Sequence, residues 1–194
     1  MKIVGTDAPE VERALVAGEL ACPGCGGRLR PWGRARVRVV RHRDREERRR
    51  LRRSRCCGCS LTHVLLAEDC LVRRRDGVEV IGAALVAKAV GHGHRRAARD
   101  LDVHPSTVRG WLRRFTRWAE AIRSFFTALA HDLDPLLGPL APAGSALGDA
   151  LEAIATAARA AAARLGPRAP WPFASAASAG ALLSNTSCPW AGGL

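Results

Sequence analysis

The chain has 194 residues, a formal net charge of +13 and a sequence pI near 11.1. That length suits one or two small domains, at about 100–200 residues each, and so basic a chain points to nucleic acid or an anionic membrane as partner. No run of about 20 apolar residues exists, which excludes a transmembrane helix. The N-terminus, with Asp7, Glu10 and Glu12, lacks the apolar core of a secretory signal. A soluble cytoplasmic protein, associated with the nucleoid, is the expectation. Seven cysteines in a reducing compartment read as metal ligands rather than disulfides.

The charge is uneven. Residues 1–21 sum to −2 and residues 124–194 to −1, so residues 22–123 carry +16. Only Lys2 and Lys88 are lysines; the other basic residues are arginines. Arginine forks onto phosphate and guanine. Codon bias in a GC-rich genome explains the choice of arginine over lysine, but not its clustering.

Residues 1–21 form a lead segment. Residues 22–75 open on Cys22-Pro-Gly-Cys25 and return with Cys56-Cys57-Gly-Cys59. In C-x-x-C spacing, two thiolates on a tight turn reach one ion, and Gly24, Gly26 and Gly58 let the backbone turn beneath it. Two such knuckles predict a closed, structural four-sulfur site for one Zn2+. Cys57 offers another pairing, but only Cys56 keeps the spacing. His63 and Cys70 are candidate substitutes, and Cys188 stands alone as a free thiol. Between the knuckles, residues 34–39 alternate basic and apolar as a half-buried strand does. Residues 41–47 are polar enough for a turn, residues 48–55 lead back, and residues 61–66 form a short β-prone segment. This is the pattern of a zinc ribbon, too small to fold without its metal. Residues 34–55 contain twelve arginines. A solvated charge run is the plain reading; a phosphate-facing hairpin, with Arg36 and Arg38 as contacts, is the favoured one. Asp44, Glu46 and Glu47 weaken contact at the turn.

Residues 76–130 change to a helical period. Val80, Ile81, Ala84 and Leu85 mark one helix, with Lys88 at its edge, and Gly91-His92-Gly93 ends it. A second helix fits residues 95–101 and a third residues 105–115. Ala98 at the crossing, Val103 after the turn, and Val108 and Trp111 facing back match a helix-turn-helix. Pro105 suits the first helical position, which leaves His104 as an unusual N-cap; Ser106 serves if the helix starts later. Asp102 stands where glycine is common, and aspartate tolerates the left-handed conformation better than most residues. The third helix would enter the major groove of double-stranded DNA. Ser106, Thr107, Arg109 and Arg113 are the candidate base contacts, with Arg109 foremost because arginine pairs bidentately with guanine. Arg95, Arg96, Arg114 and Arg117 are candidate phosphate contacts.

The apolar stripe Trp118, Ile122, Phe125, Phe126 and Leu129 reads as core or as the seam of a homodimer. Prolines 135, 139 and 142 mark a linker over residues 131–146. Residues 147–166 read as an Ala-rich helix. Residues 167–194 read as a poorly ordered tail with Trp171 and Trp190 as local anchors. The expected fold is thus mainly α with a small β zinc ribbon: a ribbon hairpin, a three-helix helix-turn-helix, then C-terminal helices.

Arg55-Cys-Cys-Gly-Cys-Ser-Leu-Thr-His63, Val78-Glu-Val-Ile-Gly82 and Thr107-Val-Arg-Gly-Trp-Leu-Arg-Arg-Phe115 resemble a family of uncharacterised proteins of actinomycete-type bacteria. That family is a domain of unknown function described as containing a helix-turn-helix. The N-terminal half also resembles the zinc ribbon of insertion-sequence transposases. The resemblance covers residues 22–129 and carries over only the four knuckle cysteines. It implies DNA binding and an origin in mobile elements.

Two readings follow. One is a DNA-binding protein that is not an enzyme, serving as a transcriptional regulator or mobile-element-derived binder; its variant is a truncated transposase or accessory protein lacking the catalytic domain. The other is a transposase or nuclease, which needs carboxylates converging on magnesium. Beyond Arg123 the chain supplies only Asp132, Asp134, Asp149 and Glu152, with no strand pattern to hold them. RNA binding through the ribbon is weaker still, because no aromatics interleave the arginines of residues 34–55 to stack bases.

Overall fold

The computed structural model describes residues 1–183, a mixed α/β protein in which six strands precede six of the seven helices. The lead segment is built into the fold. Strand β1 (Lys2–Val4) pairs in parallel with β6 (Thr62–Ala67), Lys2 opposite Leu65 and Val4 opposite Ala67. Helix α1 (Ala8–Ala17) starts at Asp7, whose carboxylate accepts from the Glu10 amide at 3.4 Å. It stops at Gly18, where φ is +74° and the amide donates back to Leu15. α1 presses the fully buried Leu15, with Val11 beside it, onto Leu29, Leu65 and the buried Cys22 and Cys56.

The arginine-rich insert is one long hairpin with a break in the middle. Strands β2 (Leu29–Arg34) and β5 (Arg52–Cys56) form its base, with Leu29 opposite Cys56. Strands β3 (Arg38–Arg41) and β4 (Glu46–Arg49) form its outer half, with Val39 opposite Arg48. The expected strand over residues 34–39 therefore straddles the break, since β2 ends at Arg34 and β3 begins at Arg38. The turn is tighter than residues 41–47: the His42 amide donates to the Arg45 carbonyl at 2.8 Å. The four-stranded sheet runs β1-β6-β5-β2, with β3-β4 a separate pair.

Three helices follow: α2 (Val78–Ala89), α3 (His94–Asp100) and α4 (Pro105–Arg117). They bury Val80, Ile81, Leu85, Ala98, Val103, Val108, Trp111 and Phe115 around one core. Asp102 has φ +51°, the left-handed turn that its position required. His104 caps α4 as expected, its Nδ1 accepting from the Ser106 amide at 3.3 Å. Helices α5 (Ala119–Leu133) and α6 (Ala146–Leu165) then pack as a pair. Ala150, Ala153 and Ala157 of α6 lie against Ile122, Phe126 and Ala130 of α5, all buried. Of the stripe expected as core or dimer seam, Ile122 and Phe126 are buried under α6 of the same chain, and Trp118, Phe125 and Leu129 are partly buried beside them.

The C-terminal region departs from expectation. Residues 170–177 form helix α7, and the chain there returns to the segment between β6 and α2. The Ser175 hydroxyl donates to the Cys70 carbonyl at 2.7 Å, Val72 N donates to Gly180 O at 2.9 Å, and Leu182 and Leu183 are buried. A short segment rich in Ala, Ser and Pro reads as tail because each of these contacts is made to residues some 100 positions earlier. Trp171 lies on Gly82 of α2, where an added Cβ would fall 2.0 Å from the indole. Trp190 and Cys188 lie outside the described residues. Overpacking of this kind costs about 1–3 kcal/mol, so Gly82→Ala is expected to lower the unfolding free energy measured in urea by that much and open the segment after residue 166 to protease. Unchanged stability and protection would show that α7 does not dock on α2.

Candidate metal centre and basic helical face

The two knuckles converge. The sulfurs of Cys22, Cys25, Cys56 and Cys59 all lie within 4.8 Å of one another. Cys22 Sγ is 3.8 Å from Cys59 Sγ, and Cys25 Sγ is 3.4 Å from Cys56 Sγ. An ion bound by four thiolates at about 2.3 Å needs its sulfurs about 3.8 Å apart, so the cage fits a tetrahedral metal. Each knuckle closes the same way. The amide of Gly26 donates to Cys22 O and that of Ser60 to Cys56 O, and both residues adopt positive φ, +71° and +61°. No disulfide joins the four; Cys22, Cys25, Cys56 and Cys59 are free thiols.

The backbone favours thiolate here. The amide of Cys59, with help from neighbouring groups, holds Cys56 down at about 6, and the amides of Gly24 and Cys25 lower Cys22. The Leu61 amide would lower Cys59 too, but burial and the crowd of sulfurs outweigh it and push that thiol up to about 12. Four sulfurs this close cannot all ionise without a cation between them. A metal ion held by the four sulfurs would supply that charge.

Of the three candidate substitutes, His63 alone lies at the cage. It is buried, with Nε2 3.4 Å from Cys22 Sγ. Cys57 is exposed. Cys70 is buried elsewhere, between Asp69 and Arg49, and burial pushes its thiol up to about 12.

The arginines divide into two sets. Arg49 grips Asp69 with two N–H donors at 2.6 and 2.7 Å and also bonds Glu47. Arg52 donates to Glu12 of α1 at 2.9 Å. Arg41 donates from Nε to the buried Asp76 at 2.7 Å and from Nη1 to the Asp102 carbonyl at 3.2 Å. Arg38, expected to face phosphate, is half-buried and donates to the Arg74 carbonyl. These hold the hairpin against the rest of the chain, a role the run of charge did not disclose. Arg36, by contrast, is exposed.

On α4 the expected residues line up as proposed by their spacing. Val108, Trp111, Leu112 and Phe115 face inward; Ser106, Arg109, Arg113 and Arg117 are exposed, and Thr107 and Arg114 are half-buried at the margin. The Ser106 hydroxyl lies 2.7 Å from His104 Nδ1. Arg109, Arg113 and Arg117 recur every four residues and border an open groove completed by Lys88 of α2 and His94 of α3. Lys88 and His94 were missed as site residues; only the packing of α2 and α3 beside α4 brings them there. Arg95 and Arg96 are exposed on α3. The acids beyond Arg123 act locally: Asp149 accepts from the Ala143 amide at 2.6 Å, and Glu152 pairs with Arg159 at 2.8 Å. No helix among the described residues is long and apolar enough to cross a membrane.

No family model matches this chain, and neither curated proteins nor solved structures gave a match. The site is therefore judged on its own geometry.

Protons and metal compete for the same sulfurs. The fold depresses the Cys56 thiol to about 6, so its thiolate is present above that pH and lost as pH falls through it. Titrating the metal-loaded protein with a chromogenic chelator should release metal as pH falls and retain it as pH rises. Cys59→Ser should abolish stoichiometric binding and Cys70→Ser should not; equal metal content in both variants would mean that the cage is not the site.

Proposed function

We propose that this protein is a double-stranded DNA reader: a zinc ribbon followed by a helix-turn-helix, with α4 as recognition helix. The observation that carries this reading is the exposed face of α4, whose cations are unopposed by any acid on that helix. An α-helix of this kind fits the major groove, about 12 Å wide, and arginine there recognises guanine through two parallel hydrogen bonds. Ser106, Thr107, Arg109 and Arg113 take the base-contact positions. Arg117 and Arg114, with Arg95 and Arg96 on α3, border the phosphates, as Lys88 and His94 do on the other side of the groove. Phosphate contacts fix the register, and base contacts choose the sequence.

Zinc is the metal this donor set favours. Four thiolates fill every tetrahedral position, so no site remains for water or substrate, which makes the ion structural. The sheet it closes is small and arginine-rich, so its fold depends on the ion more than on apolar burial. A regulator of transcription and a binder of mobile-element ends would both use this arrangement.

Selection of bound sequences from a random duplex pool tests the reading. Wild type should enrich one motif, and Arg109→Ala should lose preference at one or two positions, at about 1–3 kcal/mol for the lost pair. Arg117→Ala should weaken all sequences alike and reduce the salt slope by about one. No enriched motif, together with an inert Arg109→Ala, would remove α4 as a reader.

A further inference from the structure

The ladder between β2 and β5 slips by one residue between Pro31 and Gly33. Gly33, at φ +109°, permits the slip. Trp32 is the extra residue. It belongs to no buried cluster and is 53% exposed, a large apolar side chain left in solvent. The Arg55 guanidinium carbon lies over its ring, 4.8 Å from the centroid. Arg30 sits opposite Arg55, and Arg53 opposite Gly33. Arg30, Arg53 and Arg55 are exposed, whereas Ser54 and Cys56, alternating with them, are buried. Among the described residues, no carboxylate pairs with any of the three. The sequence gives Trp32 no visible partner, since Arg55 is 23 residues away.

We propose that this outer face of the hairpin binds single-stranded nucleic acid, with one base stacked on Trp32 and the sugar–phosphate chain along Arg30, Arg53 and Arg55. Every base has a π-face, so an exposed indole holds any of them, and a cationic track holds the backbone. Arg55 over one side of the ring adds cation–π attraction and a positive charge beside the stacked base. Paired bases inside a duplex offer no free face, so the occupant is an unpaired strand. The platform is rigid for a stated reason: β5 ends in Cys56, a member of the four-sulfur cage, directly after Arg55. The site lies on the hairpin and does not depend on α4 reading duplex DNA.

Fluorescence anisotropy of the full-length, metal-loaded protein tests this with labelled dT12, rU12 and an abasic twelve-mer. Wild type should bind dT12 or rU12, whichever is tighter naming the strand type, and should bind the abasic chain more weakly. Trp32→Ala should lose about tenfold or more, with metal content and circular dichroism unchanged, while Trp32→Phe should keep most of the affinity. Arg109→Ala should leave single-strand binding intact. The proposal is overturned if neither oligomer binds, if Trp32→Ala matches wild type, if the abasic chain binds as well as dT12 and rU12, or if Arg109→Ala costs as much as Trp32→Ala.

Discussion

The buried Asp76 carboxylate is the point at which a hairpin and a helical unit become one body. Arg41, at the end of β3, donates to it from Nε and Nη2 and reaches on to the Asp102 carbonyl with Nη1. The backbone is tied at the same place: Arg41 N donates to Arg75 O, and Gly77 N to Arg41 O. A charge this buried is costly unless paired, and the pairing here ends on the turn that launches α4. The hairpin therefore sets the position of the helix proposed to read DNA. It is a brace as well as a basic arm.

This division of labour accounts for the arginine run. A guanidinium can satisfy buried carboxylates and backbone carbonyls with a fixed fork of donors, and Arg38, Arg41, Arg49 and Arg52 do so inside the molecule. The Arg49 pair illustrates the energetics. Burial alone would raise the Asp69 carboxyl, but two hydrogen bonds and the Arg49 charge outweigh it and hold it below the ordinary carboxylate range. Other arginines stay exposed, among them Arg30, Arg53 and Arg55 on the outer face of the hairpin and Arg109, Arg113 and Arg117 along α4. One residue type thus serves both cohesion and the display of charge.

The C-terminal helices close the structure from the other side. α6 packs its buried alanines Ala150, Ala153 and Ala157 against α5. α7 and the turn ending at Gly180 hold the connector between β6 and α2. The connector is thereby held by Asp76 on one side and by the C-terminal segment on the other.

The sequence by itself determined whatever depends on short spacing. Two C-x-x-C knuckles bring sulfurs together because each turn is four residues long, and the inward positions of α2 to α4 follow from a period of 3.6. Asp102 and His104 were legible for the same reason, as local demands of a turn and a cap. The tertiary structure decided everything whose partner is far along the chain. β1 is three residues that become a strand only by pairing with β6, sixty residues on. α7 is a short helix without a strong pattern of its own, held by a tryptophan fitted to Gly82. The bulge at Trp32 and the internal duties of four arginines are also invisible locally. A ladder slip and an ion pair depend on which residue lies across, and only the folded chain sets that.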